Sequence, residues 1–138
     1  MKVMVLGMAT EQSESGDFGA AEDFAAMDQY MRQLTEAGVL LAGDGLQPTS
    51  KAKRVVVDTD GARVIDGPFA ESKEFIAGYT LIQVKTREEA MEWAKRFPAP
   101  HGPNTDAEIE VRQLFELDDF TPSEAIDRFK GLGVGTQK

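Results

Sequence analysis

Two amphipathic helical segments, each lying between strand-like segments, constrain the fold of this chain more than any other feature. In residues 20–37 the apolar side chains recur at spacings of three and four, which places them on one face of a helix. In the second segment Thr86 and Glu89 form a capping box, and Pro98 ends the helix. The predicted apolar stripes are Phe24, Met27, Met31 and Leu34 in the first helix and Ala90, Trp93, Ala94 and Phe97 in the second. Because each helix is apolar on one side only, we expect both to cover the same face of an antiparallel sheet.

Segments rich in β-branched and apolar residues predict the strands that accompany these helices. The predicted strands are residues 3–8, 39–42, 54–58, 62–66, 78–85 and 108–115. Asp60 and Gly61 between two β-branched runs indicate a hairpin. The order strand, helix, strand, hairpin, strand, helix, strand predicts an α+β fold, a ferredoxin-like split βαβ with an inserted β-hairpin.

A further helix is predicted after the last strand. Thr121 and Glu124 form a capping box there, with Pro122 at the first helical position. We expect residues 1–117 to form one domain, and residues 118–138 to form a C-terminal helix with a flexible tail. Residues 10–19 are polar and rich in Gly and Ser, which predicts a loop.

The alternation in residues 78–85 separates the two faces of the predicted sheet. Thr80, Ile82 and Val84 point to one face, and their neighbours point to the other. Leu81, Tyr79 and Leu114 are therefore predicted on the face that the helices leave uncovered. A large exposed apolar face implies a partner, and we expect a homodimer that packs sheet to sheet.

Composition excludes several classes of function. Acidic residues outnumber basic ones by 24 to 15, and the net charge of −9 argues against a nucleic-acid partner. The one basic cluster, Lys51, Lys53 and Arg54, is interpreted as a charged lead into a strand. There are no cysteines, which excludes disulfides and thiolate chemistry. No apolar run approaches the roughly 20 residues of a membrane span, so we expect a cytoplasmic protein without a membrane partner.

The segment from residue 66 to residue 74, Asp-Gly-Pro-Phe-Ala-Glu-Ser-Lys-Glu, is the most distinctive motif of the chain. Gly67 permits a positive φ, Pro68 fixes its own φ, and Phe69 is too large to leave in water without a reason. The motif resembles the one that defines the DGPF (YCII-related) family. Residues 43–48 (Gly-Asp-Gly-Leu-Gln-Pro) and 76–79 (Ile-Ala-Gly-Tyr) resemble further segments of that family.

Residues 89–94 and 109–112 resemble the second helix and last strand of the same family, so the resemblance extends over nearly the whole domain. It implies a ferredoxin-like fold that dimerises into an α+β barrel with a cleft between the protomers. Many family members have no assigned reaction. Some members of the wider group have been proposed as enzymes with a His-Asp pair near the first helix and second strand. Here Asp44 lies near the end of the second strand, but the first helix contains no histidine, so this chain departs from that pattern.

Asp66 and Asp44 are the candidate catalytic residues. Asp66 could act as a general base or bind a polar ligand. Alternatively, its carboxylate accepts backbone N–H bonds from Phe69 or Ala70 and holds the turn. Asp44 lies between two glycines, which allow a ligand to approach the backbone closely or simply make a turn. If the two carboxylates converge, they could divide acid and base roles.

Four further residues are candidate ligand-binding groups: Arg112, Lys73, Glu71 and His101. Arg112 on the last strand would suit an anionic ligand in the cleft, or it could form a cross-strand ion pair. Lys73 and Glu71 could orient a polar substrate, or they could belong to a solvated surface. His101 could shuttle protons, although a single loop histidine is more often solvated. The scattered carboxylates lack metal-ligand spacing, so neither a metal nor a cofactor is expected.

Two functions follow from these patterns. The first is a dimeric protein that binds a small polar or anionic molecule between its protomers, with acid/base catalysis by Asp66 and Asp44 left open. The second is a non-catalytic interaction module, since net charge −9 suits docking on a basic protein surface. The family resemblance implies that such a module could be an accessory to transcriptional regulation.

Overall fold

The computed structural model describes residues 1–16, 19–70, 75–99 and 106–135, and a four-stranded antiparallel sheet organises this part of the chain. In chain order the elements are β1 (Lys2–Met8), α1 (Glu11–Glu14), α2 (Ala21–Glu36), β2 (Leu40–Gly45), β3 (Lys53–Asp58), β4 (Gly61–Asp66), β5 (Ile76–Gln83), α3 (Arg87–Lys95), β6 (Ile109–Gln113) and α4 (Glu124–Leu132). Short 3-10 turns occupy Thr49–Lys51 and Leu117–Asp119. None of the helices in the described ranges is long and apolar enough to cross a bilayer.

The sheet has the strand order β2-β5-β1-β6, and all three pairings are antiparallel. Strands that are neighbours in the sheet are therefore distant in sequence, with α2 and α3 connecting β1 to β2 and β5 to β6. This arrangement is consistent with a ferredoxin-like α+β fold. The predicted order of strands, helices and inserted hairpin is confirmed.

One face of the sheet packs against α2 and α3. Val3, Val5 and Ile82 are buried there against Tyr30 and Leu34 of α2. Ala90 and Ala94 of α3 complete this core, so both helices cover the same face as predicted. The alternation in β5 is also confirmed.

The apolar stripe of α2 differs from its prediction at two positions. Phe24 is exposed and does not join the core. Tyr30 is buried instead, and its hydroxyl donates a hydrogen bond of 2.9 Å to the carbonyl of Trp93. A tyrosine can be buried when its polar tip finds such a partner, and spacing alone does not reveal that partner.

The second face of the sheet does not expose the apolar surface that was predicted. Leu81 is only 5% exposed, and Tyr79 and Leu114 are half-buried. The C-terminal segment reaches this sheet, because the Lys2 ammonium donates to the Gly135 carbonyl at 2.8 Å. This contact places Gly135 beside β1, and the flexible tail stays a prediction. Residues 136–138 lie outside the described residues.

Local capping explains two further differences, and strand pairing explains a third. A short helix, α1, lies in the segment predicted as a loop, because Thr10 and Ser13 cap each other's backbone. Ser123 rather than Thr121 caps α4, and its hydroxyl accepts from the Ile126 N–H at 3.2 Å. Strand β2 extends to Gly45 through its pairing with β5, which carries Asp44 into the sheet.

The predicted hairpin forms between β3 and β4. Lys53 pairs with Asp66 at its base, and Asp58 pairs with Gly61 beside the turn. Gly61 has φ 123°, a conformation that side-chain-bearing residues rarely adopt. The hairpin is a separate two-stranded sheet, and every residue in it except Val56 is exposed.

Candidate functional site

A cavity of about 410 Å³ lies between the loop that follows β2 and the segment that follows β4. Leu46, Gln47 and Pro48 line one part of it, and Phe69 and Phe75 line another. The two most distinctive motifs of the sequence, residues 43–48 and 66–69, thus contribute to the same concave surface.

Gly67 brings the two sides of the cavity together. Its N–H donates to the Ala52 carbonyl at 2.9 Å. A Cβ at this position would lie 1.8 Å from the Thr49 carbonyl oxygen, far inside van der Waals contact. The positive φ expected at Gly67 is not observed, and the peptide bond to Pro68 is cis. Glycine is required here by close approach of the backbone rather than by a left-handed conformation.

Thr49 connects three segments beneath the cavity. Its N–H and its hydroxyl both donate to the carboxylate of Glu14, the last residue of α1. Its hydroxyl oxygen also accepts from the Phe69 N–H at 3.4 Å. The expected bond from this N–H to Asp66 is therefore absent, and Thr49 satisfies the turn instead.

An arginine and two phenylalanines form the most distinctive side-chain cluster of the cavity. The Phe69 and Phe75 rings meet edge to face with 5.9 Å between centroids. The Arg54 guanidinium carbon lies 3.8 Å from the Phe69 centroid and 5.6 Å from that of Phe75. Both distances fall within the range of cation–π attraction.

Neither cation that lines the cavity forms a salt bridge with a described residue. The salt bridges in the described ranges involve other basic side chains, and Arg54 and Lys51 are absent from them. The guanidinium carbon lies over the Phe69 ring, and the five N–H donors of an arginine suit a carboxylate or phosphate. The cavity therefore offers two cations in a chain of net charge −9.

The predicted catalytic carboxylates are not among the described residues that line this cavity. Asp66 is exposed at the end of β4 and pairs with Lys53 at 2.6 Å. Asp44 is exposed on β2, where its carboxylate accepts from the Tyr79 hydroxyl at 3.3 Å. Their polar contacts are thus to different partners on different sheets.

Arg112 lies on the sheet face opposite the helices, as predicted, and pairs with Glu110 at 2.6 Å. Its strand, β6, and the strand of Asp44, β2, form the two outer edges of the sheet. Three interstrand spacings separate these edges, or roughly 14 Å. Within one protomer, Arg112 and Asp44 therefore lie on opposite edges of the sheet. The predicted Lys73, Glu71 and His101 lie outside the described residues.

The cationic lining was not recognised from sequence, because Lys51 and Arg54 were interpreted as a charged lead into a strand. The available signal was their position between the two distinctive motifs. Elsewhere, no group of three His, Cys, Asp or Glu side chains in the described ranges could hold a metal ion.

Comparison with known proteins identifies the family of this chain. A family model described as "YCII-related domain" matches residues 1–118. The chain belongs to the YCII-related domain family. An uncharacterized protein of Rhizobium meliloti (strain 1021) is similar to it, with 34% identity over 102 residues. That similarity covers 74% of this chain and 78% of the Rhizobium protein. The YCII-related match includes all six strands and the cavity, whereas α4 follows it.

Proposed function

We propose that this YCII-related domain binds a small anionic molecule with a flat apolar portion in the cavity between residues 46–54 and Phe69, Phe75 and Ile76. The observation that carries the proposal is Arg54, which stacks on Phe69 at 3.8 Å and has no salt bridge with a described residue. A hydrogen bond to an ionised partner contributes more than one between neutral groups. The carboxylate or phosphate of a ligand would supply the anion.

The size and lining of the cavity support the same ligand chemistry. Its volume of about 410 Å³ is within the range of small-molecule sites, roughly 300–1,000 Å³. Leu46, Pro48 and the two phenylalanines offer apolar contact, while the Gln47 amide can orient a polar group. A flat apolar group beside the phenylalanine pair would gain favourable ring contacts.

Binding is favoured over acid–base catalysis by the residues at the cavity. Among its described lining residues there is neither a carboxylate nor a histidine. The Glu14 carboxylate beneath the cavity accepts two hydrogen bonds from Thr49, which is a structural role. Catalysis by Asp66 or Asp44 has no such geometric support.

The proposed active form is a homodimer. Support comes from large apolar side chains that stay exposed in the single chain, notably Val57, Phe115 and Leu132. In a homodimer, a partner would cover apolar side chains of this kind on the hairpin and the C-terminal segment. The dimer is therefore argued from the hairpin and the C-terminal segment, not from the sheet face.

Thermal-shift and calorimetric titration with benzoate and phenyl phosphate tests the ligand proposal, with benzyl alcohol as the uncharged counterpart. We expect the anions to raise the melting temperature and the alcohol to have little effect. Arg54→Gln should weaken anion binding about 10- to 100-fold, since hydrogen bonds to charged groups contribute about 1.5–3 kcal/mol.

Arg63→Gln is the matched control, because it removes the same charge from the neighbouring strand outside the cavity lining. Equal binding of the alcohol and the anions would contradict the proposal. Equal losses in the Arg54 and Arg63 variants would show a general charge effect instead of a site.

A further inference from the structure

Two cations enter the cavity from neighbouring pieces of the chain that are built differently. Lys51 is the last residue of the 3-10 turn, and Arg54 is the second residue of β3. Both line the cavity, and Ala52 lines it between them. Because three residues of extended chain span at most about 11 Å, both side chains can contact one bound molecule.

The third cation of this segment, Lys53, is not part of the described cavity lining. Side chains alternate along a strand, so Lys53 and Arg54 point to opposite faces of the hairpin. The Lys53 ammonium pairs with Asp66 at 2.6 Å. Lys51 and Arg54 form no salt bridge with a described residue, and the described lining contains no carboxylate. A ligand can therefore balance the charges of these two cations.

Main-chain N–H groups along the loop side of the cavity are already used within the protein. Four of them donate to acceptors of the same chain at 2.7–3.2 Å, namely those of Leu46, Thr49, Lys51 and Ala52. Phosphate sites commonly depend on successive N–H groups that point at the anion. These four positions offer no such cradle, so anion binding depends on the two cationic side chains.

The two cations offer separate points of attachment. Cation–π attraction holds Arg54 at the aromatic end of the cavity, where its guanidinium carbon lies 3.8 Å from the Phe69 centroid. Lys51 belongs to the turn on the other side of Ala52 and carries its ammonium on a flexible four-carbon stem. Ala52 itself has only a methyl side chain, and its carbonyl accepts the Gly67 N–H at 2.9 Å. This small residue leaves room for a flat group between the two charges.

We propose that the ligand of this cavity is a flat dicarboxylate, with one carboxylate on Arg54 and the other, across the flat group, on Lys51. This inference rests on the proposed function and names the ligand class of the same site. Each carboxylate balances one cation, whereas a monoanion balances only one of the two. The flat group between the carboxylates packs against Phe69 and covers Ala52.

Matched pairs of ligands test the second point of attachment. Isophthalate and its monoamide have nearly the same shape, but a neutral amide replaces one carboxylate in the monoamide. We expect calorimetric titration of the wild-type chain to give about 3- to 10-fold tighter binding of isophthalate, because a hydrogen bond between charged groups adds a modest free energy at an exposed site. Terephthalate and its monoamide form a second pair, with a larger separation between the carboxylates.

Lys51→Gln should abolish the preference for the dicarboxylate. Its affinity for the monoamide should be nearly unchanged, because Arg54 still binds the remaining carboxylate. Lys53→Gln is the matched control, since it removes the same charge two positions along the chain and outside the cavity lining. It should keep the preference for the dicarboxylate, because the exposed pair with Asp66 that it breaks contributes little to stability.

The possible failures of this inference and of the proposed function are distinct. If benzoate binds but neither dicarboxylate binds more tightly than its monoamide, the inference is overturned and the proposed function stands. Equal losses of the preference in Lys51→Gln and Lys53→Gln would overturn it as well, because they would show a general charge effect. If benzoate and both dicarboxylates all fail to bind, the inference and the proposed function are both overturned.

Phenyl phosphate tests whether the two negative charges must be separate, because it carries up to about two of them on one group at neutral pH. We expect Lys51→Gln to weaken the binding of the preferred dicarboxylate more than that of phenyl phosphate, since Arg54 binds a single anionic group at one end of the pair. Equal weakening of both ligands would show that Lys51 and Arg54 converge on one anion. That result would overturn the separated dicarboxylate.

Discussion

The four-stranded sheet and the β3–β4 hairpin use the same antiparallel pairing and the same β-branched residues, but their side chains have different surroundings. Val5 in β1 is fully buried between the sheet and the helices, whereas Val64 in β4 is 60% exposed. Both valines are paired across a ladder, with Thr80 or Val111 in one case and Val55 in the other. The surroundings differ because α2 and α3 pack against the four-stranded sheet and leave the two-stranded hairpin uncovered.

This contrast separates stability from binding. Burial of apolar area contributes roughly 25 cal/mol per Å², so the sheet and its helices hold most of the folding free energy. The hairpin contributes little burial, but it carries Arg54 of the cavity wall and the unpaired β3 edge. We therefore expect substitutions in the sheet to change stability and those in the hairpin to change association and ligand binding.

The same substitution in the two regions gives the largest expected contrast. Val5→Ala should lower the free energy of unfolding by about 2–3 kcal/mol, from lost burial and the cavity left behind. Val64→Ala should lower it by less than about 1 kcal/mol, because the removed methyl groups are largely in water. Urea denaturation of both variants measures the difference. Equal losses would show that the hairpin is buried in solution by an unidentified contact.

Gly67→Ala tests the junction between the two regions. The new Cβ would overlap the Thr49 carbonyl, and we expect a loss of about 1–3 kcal/mol together with weakened anion binding. Gly131→Ala in α4 is the control, because a Cβ there meets no atom within 4 Å. It should stabilise the helix by about 0.5–1 kcal/mol. Thermal melts of both variants should move in opposite directions, and a neutral Gly67→Ala would contradict the close approach.

Tyr30→Phe should give the smallest effect at neutral pH and a distinct effect at alkaline pH. It removes the bond to the Trp93 carbonyl, which contributes about 1 kcal/mol. Burial raises the pKa of Tyr30 from 10.0 to about 12, although Arg96 acts in the opposite direction. The unfolded chain then loses this proton near pH 10 while the native state keeps it, so stability falls as the pH rises from about 10 to 12.

Replacing Tyr30 with Phe should therefore reduce this alkaline loss of stability. Tyr79→Phe is the control, since Tyr79 is the other tyrosine of the chain, and it should keep the wild-type loss. Denaturant titrations at pH 8, 10 and 11.5 would measure the profiles. Identical slopes for wild type and Tyr30→Phe would contradict the assignment.

Prediction from sequence succeeded where one local pattern has one structural solution. The alternation around Ile82 and the spacing of Met27, Met31 and Leu34 each specify an element and the face that it buries. The Asp60-Gly61 turn specifies the hairpin. The predicted stripe wrongly included Phe24 and did not include Tyr30, whose burial depends on the partner of its hydroxyl.

The candidate site was harder to predict because its parts are distant in sequence. Arg54 is a candidate ligand-binding residue because it lies against Phe69 and Phe75. The close packing of Gly67 against Thr49 joins the two segments that carry these side chains. Asp66 is the most conspicuous residue of its motif, yet it pairs with Lys53 across the hairpin. Its carboxylate suggested an acid/base role from sequence, whereas its contact with Lys53 places it at the base of the hairpin.

The amino-acid sequence by itself determined most of the secondary structure, the order of the main elements and the family, because these depend on local periodicity, capping and motif. Only the tertiary structure decided that the two motifs share one cavity, that Leu81 is buried and that the hairpin valines are exposed. These properties depend on which surfaces meet in space. The same β-branched residue is buried at Val5 and exposed at Val64 because helices cover one sheet and leave the other open.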